Sequence, residues 1–191
     1  MKLFFLLAVL ATSNFVTAQE LPYYYNIPAA PASYTPELVA ARMVDGLGFR
    51  YFWATEGLTQ KEMIYRPTPE ARSLYETIEH INGLVIMLRN AVESLPNNGA
   101  SPTHSLFNEL REQTLLNLQE ASMILKKPGA DLKQMEIIFE RTGGKKTYPF
   151  WNMINGPVED AVWHTGQVVS FRRSAGNPIP AGVNEMEGKK Q

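Results

Sequence analysis

The chain reads as an all-α protein, a four-helix bundle with a short β-hairpin before the last helix. Three observations predict it. Apolar residues recur in alternating steps of three and four along separate segments, the spacing of a buried helical face. The breaks between those segments are rich in Pro, Gly and Asn. One stretch ahead of the last segment abandons the helical period around a Gly143-Gly144 pair. With 191 residues there is room for one domain, and with no cysteine its core alone must hold it.

Residues 1–18 form a predicted secretory signal. Lys2 supplies the positive start, Leu3 to Ala11 the apolar run, and Val16-Thr17-Ala18 the small-residue cleavage site, leaving Gln19 first in the mature chain. Ser13 and Asn14 interrupt the run too early for a bilayer span. No cysteine follows the cut, so no lipid anchor is expected. This pattern predicts a secreted or periplasmic protein with no stable membrane anchor once the signal is cleaved. The chain carries 18 basic and 19 acidic side chains, and losing Lys2 with the signal leaves a net charge of −2. A near-neutral surface of this kind excludes a nucleic-acid partner, which calls for a strong basic excess.

Residues 19–34 are an extended arm, because Pro22, Pro28 and Pro31 fix φ and remove donors around Tyr23-Tyr24-Tyr25. The arm either packs on the domain or serves as a partner strap. The bundle is expected over 35–176. Thr35 is the N-cap of the first helix, with Pro36 and Glu37 in its first turn and a stripe of Ala40, Val44, Leu47, Tyr51, Ala54 and Leu58. Gly46 and Gly48 inside it point to a close neighbour, and Tyr65 to Pro69 bar further helix.

The second long helix opens on a capping box, Ser73 to Glu76, and continues through Leu74, Ile78, Ile81, Val85, Leu88, Val92 and Leu95 until Pro96-Asn97-Asn98-Gly99. The third follows Ser101-Pro102-Thr103, with Phe107, Leu110, Thr114, Leu118, Ala121 and Leu125 as its stripe. It ends at Lys126-Lys127-Pro128-Gly129, where positive charge suits the helix dipole. Met135 to Phe139 and Lys146 to Pro149 are the hairpin strands. The last helix spans Trp151 to Ser174 with a kink at Gly156-Pro157. Residues 177–191 form a tail, ordered at first and frayed at its end.

Chemistry is confined to few residues. The chain has no thiol, no G-x-S-x-G, no H-E-x-x-H and no phosphate loop. Asp160 and His164 are four residues apart, so on a helix they leave the same face about 6 Å apart along the axis. They suit two ligands on one cation; an aspartate orienting a histidine, or a solvated pair, has the same spacing. His80 sits at the edge of its apolar stripe, where it is either a surface residue or a ligand at the bundle mouth. His104 lacks an acidic neighbour at helical spacing and is expected on the surface.

Two segments resemble the DinB-like superfamily: Ser73 to Ile81, and Val162-Trp163-His164-Thr165-Gly166-Gln167 with Phe171-Arg172 beyond. The order of helices, Gly-Gly hairpin and final His-x-Gly-Gln is similar too, over most of residues 37–174. The resemblance implies a four-helix bundle, often a homodimer, holding one divalent metal (zinc, nickel, iron or manganese) for transferase or hydrolytic chemistry on a small-molecule substrate. Its second-helix ligand matches His80 and its last ligand matches His164. The remaining ligand position holds Asp160 where the family has histidine. Two histidines and one carboxylate form a recognised open site; the same change also suits a bundle that has lost its metal and serves as a non-catalytic binding or structural module.

Gln167, seven residues past Asp160, is expected to hydrogen-bond a ligand or bound water, or the hairpin backbone. Arg172 and Arg173 are expected on acidic groups or the helix dipole, or on substrate, and Trp53, Trp151 and Trp163 in the core or an interface.

Overall fold

A computed structural model describes residues 22–99 and 106–191. The predicted signal, Gln19, and Ser101 to His104 lie outside the described residues. The chain is mostly helical, with one small sheet of three strands and another of two. Its long helices are α1 (Pro36–Thr55), α3 (Leu74–Val92), α4 (Phe107–Leu125) and α6 (Glu159–Ser174); α2 (Gln60–Met63) and α5 (Trp151–Met153) are short. Helix α1 packs on α4, α4 on α3, α3 on α6, and α6 back on α1.

Helix α1 begins as its sequence dictates: Thr35 Oγ1 accepts from the Leu38 amide at 3.3 Å, and Pro36 takes the first helical position. Ala40, Val44, Leu47, Tyr51 and Ala54 are all buried. The helix stops at Thr55, before Leu58, and Gly57 follows at a φ of 69°. Off this stripe, Phe49, Phe52 and Trp53 are buried as well. The N-terminal arm covers that side. Tyr24 lays its ring on Gly48, where an added Cβ would come within 2.4 Å of it. Trp53 Nε1 donates to the Tyr25 carbonyl at 3.1 Å, and Arg42 Nη1 to that of Pro28 at 2.7 Å. The arm therefore packs on the domain.

The tail departs from expectation. Rather than fraying, it forms a hairpin of β4 (Val183–Asn184) and β5 (Lys189–Lys190), which clips onto the arm. The Ile27 amide donates to Gly188 O at 2.8 Å and the Lys190 amide to Asn26 Oδ1 at 3.0 Å. These partners come from opposite ends of the chain, so no local pattern announces them.

Helix α3 carries the predicted capping box: the Glu76 amide donates to Ser73 Oγ at 3.1 Å, and the Ser73 amide to Glu76 Oε2 at 2.8 Å. Arg66 adds a two-pronged ion pair to the same carboxylate, both contacts at 2.7 Å. Leu74, Ile78, Ile81, Val85, Leu88 and Val92 are buried, whereas Leu95 lies beyond the helix end and is exposed. Pro96 and Asn97, expected only to stop the helix, form β1 (Pro96–Asn97) along the hairpin. It pairs in parallel with β2 (Glu136–Arg141), which pairs antiparallel with β3 (Gly144–Pro149). Proline is tolerated there because an edge strand does not need its missing donor.

Lys126, expected at the dipole of its own helix, reaches across to α1 instead. Its Nζ lies 2.6 Å from Asp45 Oδ2, and Ser122 Oγ donates to Oδ1 at 2.6 Å. Asp45 is buried, and a buried carboxylate must be compensated in this way. The predicted kink at Pro157 is a widened π turn over residues 154–158 that joins α5 to α6. Proline has no amide hydrogen for the preceding turn, and the ladder opens to accommodate it. Of the tryptophans only Trp53 is in the core; Trp151 and Trp163 are 77% and 72% exposed.

Arg172 of α6 is only 1% exposed and closes the end of α1. Its Nη1 donates to the carbonyls of Trp53 (3.1 Å), Ala54 (2.9 Å) and Glu56 (3.0 Å). Its Nε and Nη2 go to Asn177 O and Oδ1 at 2.7 and 3.1 Å. These are the orphan acceptors a helix leaves at its C-terminus, and the charge faces the negative end of the dipole. Burial pulls the guanidinium pKa down, opposed by the nearby charges of Glu62 and Glu56.

Arg172→Leu is expected to lower the unfolding free energy by about 3 kcal/mol or more, read from urea midpoints, because buried carbonyls lose a charged donor. A second expectation concerns acid. The hydrogen bonds from Arg66, then from the Ser73 amide, hold the Glu76 carboxyl down at about 2 instead of 4.5. A folded-state value below the unfolded one contributes stability that is complete above the ordinary carboxylate range and is lost as pH falls toward about 2. Glu76→Gln should flatten the acid limb of thermal stability in that window, as measured by melts at stepped pH.

Candidate metal centre

The candidate site lies where α3 meets α6. On α3, Ile78 and Ile81 are fully buried, and His80 falls just off their stripe, which turns its ring toward α6. On α6, Asp160 occupies the first turn and His164 the next, so both leave the same face. The π turn immediately before them shifts the angular phase of every later residue, and so helps set which face of α6 meets α3.

All three predicted residues come together. His80 Nε2 lies 3.2 Å from Asp160 Oδ2, and His164 Nε2 lies 3.3 Å from Asp160 Oδ1. The two imidazole rings stand edge to face, 4.6 Å between centroids and 88° between planes. One donor atom from each residue can be chosen so that all lie within 4.8 Å of one another. Two bonds of about 2.05 Å at a tetrahedral angle put neighbouring donors about 3.3 Å apart, so the donor set fits a small divalent cation with minor closure. The side chains of His80 and Asp160 remain 30% and 39% exposed, while that of His164 is at 16%. The cluster is thus anchored on one side and open to solvent on the other.

Gln167 pairs with His164, one of the predicted metal ligands, and not with the hairpin backbone. Its Oε1 lies 2.8 Å from His164 Nδ1. A carbonyl oxygen there must be met by an N–H, which puts the neutral ring's proton on Nδ1 and leaves the Nε2 lone pair facing Asp160. Two lone pairs opposed at 3.3 Å repel unless a proton or a cation stands between them. This is how an outer hydrogen bond prepares a metal-binding histidine.

Burial is the main cause lowering the His80 pKa; the hydrogen bond to the Asp160 carboxylate opposes it, and the neighbouring Arg72 and His164 add to it. The net direction favours the neutral ring, the form that can ligate. Arg72 is a contributor that the sequence does not reveal. It precedes the Ser73 cap and stands eight positions from His80, with no motif linking the two. Arg172, read as a residue for acidic groups, dipole or substrate, is committed to the end of α1 and is buried away from any ligand. His104 lies outside the described residues.

Comparison of the chain with protein families, with curated proteins and with solved structures returns no match.

Gln167→Leu should weaken Zn²⁺ binding by about 10- to 100-fold, measured by competition with a chromophoric chelator, with the melting temperature of the metal-free protein nearly unchanged.

Proposed function

We propose that the chain is an exported, DinB-like four-helix-bundle protein that holds one divalent cation and uses it as a hydrolase or transferase on a small molecule. The observation that carries this reading is the convergence of His80, Asp160 and His164 from two helices, their donor atoms within 4.8 Å of one another. The pairwise packing of α1, α3, α4 and α6 supports the bundle, and the pattern of residues 1–18 supports export. No described helix is long and apolar enough to cross a membrane.

His80, Asp160 and His164 would hold the cation; when bound, it supplies Lewis acidity toward a substrate oxygen or a water. The protein's own groups do the rest. Gln167 keeps the His164 proton on Nδ1, away from the site. Asp160 contributes the negative charge that a divalent cation requires. The exposed edges of His80 and Asp160 leave an approach from solvent.

One observation favours a second reading, a metal-free scaffold. Asp160 sets one oxygen against each imidazole, which is also how a carboxylate accepts two ring N–H bonds with no ion present. One experiment separates the two: metal analysis of protein purified without chelator or histidine tag, with chelation followed by thermal melting. The metal-dependent reading expects about one cation per chain, a lower melting temperature after chelation, and loss of both features in the Asp160→Ala, His164→Ala variant. Negligible metal in the wild type, or equal metal in wild type and variant, overturns it.

A further inference from the structure

A second concave site shares no residue with the three-donor cluster. It lies where the arm folds over the C-terminal end of α1 and the first two-thirds of α4, an open cleft of about 700 Å³, within the range of small-molecule sites.

One wall is aromatic and firmly held. Tyr25 packs edge-on against Trp53 and Phe52 at 5.0 and 6.3 Å, and its carbonyl is tied to Trp53 Nε1. Tyr23 packs on buried Tyr24 at 4.8 Å and remains 38% exposed. The facing wall is a polar ladder on α4. Asn108, Glu112 and Gln119 are spaced by four and seven residues, so they share a helical face. The third side carries Arg111, bonded through Nη2 to Glu56 at 2.6 Å and through Nε to Thr55 at 2.9 Å, its guanidinium 4.8 Å over the Phe52 ring.

Two features identify the ligand class. First, Asn108, Glu112, Gln119 and the hydroxyls of Tyr23 and Tyr25 make no hydrogen bond to protein among the described residues, so a set of donors and acceptors faces the cleft unspent. Second, the fixed charges disfavour an anion, and the aromatic face that would draw an organic cation is already covered. Arg111 covers the Phe52 face that a quaternary ammonium would seek, while Glu56 and Glu112 repel an anion. What remains is a neutral molecule with one flat apolar face and a rim of hydroxyls. A pyranose ring has that shape: its C–H face stacks on tyrosine, and its neighbouring hydroxyls meet planar amide and carboxylate groups.

We propose that the cleft between the arm and α4 is a carbohydrate-binding site, with Tyr23 and Tyr25 stacking a neutral pyranose whose hydroxyls are held by Asn108, Glu112 and Gln119.

The test titrates the intact chain with cellotriose, maltotriose and N,N′,N″-triacetylchitotriose, reading the Trp53 indole N–H resonance, which reports directly on Tyr25. At least one sugar should shift it saturably. Tyr23→Ala and Glu112→Ala, both at exposed or half-exposed positions, should each weaken binding about tenfold without changing the melting temperature, while His80→Ala leaves it intact. The proposal is overturned if no sugar moves the resonance, if binding survives both substitutions unchanged, or if tetramethylammonium saturates the site and the sugars do not.

Discussion

A guanidinium taken out of water must find all its hydrogen bonds inside the protein, and Arg172 finds them on the last turn of α1 and on Asn177. Among the described residues no carboxylate forms an ion pair with it, and Glu62 and Glu56 act only through their charge. Its partners are neutral carbonyls whose dipoles add along α1, so the helix end and the charge compensate each other. This sets where α6 stands against α1. Asp160 and His164 lie on the same α6, and their meeting with His80 depends on that placement. An arginine far from the three donors thus takes part in building them.

The remaining buried polar groups follow the same logic at other joints. Asp45 on α1 is matched by Ser122 and Lys126 on α4. Thr114 on α4 donates to Asn82 on α3 at 3.0 Å. Each links two helices whose contact is otherwise apolar, and each leaves an unpaired group if the helices slide. Directional bonds of this kind select one register among the several that greasy stripes alone would tolerate. The arm and tail then seal the outer side of α1, which explains why that helix is buried nearly all round although its stripe marks one face.

The two sites differ in kind. The three-donor cluster is small, built on regular helices and supported by one outer hydrogen bond, so its geometry is well fixed. The arm-side cleft is larger, and one of its walls is a short segment pinned by a few contacts. Rigid ligation suits the first, and adaptable recognition suits the second.

Much of this was legible in the chain itself. Caps, stripes and stop residues act within a few positions, so Thr35, the Ser73–Glu76 box and the Ile78-Ile81-Val85-Leu88 stripe marked their helices, and spacing alone put Asp160 and His164 on one face. Other features depend on residues far apart in the chain. Nothing near Pro96 announces a parallel partner at Ile138, nothing near Ile27 announces Gly188, and Lys126 looks like a helix-end charge until Asp45 is seen beside it. Local sequence determines which segments become helices and which faces they bury, because those forces act over one or two turns. Only the tertiary structure decided how His80 meets the Asp160–His164 pair, because that distance depends on how α3 and α6 pack, on the phase shift at the π turn and on Arg172 at the end of α1.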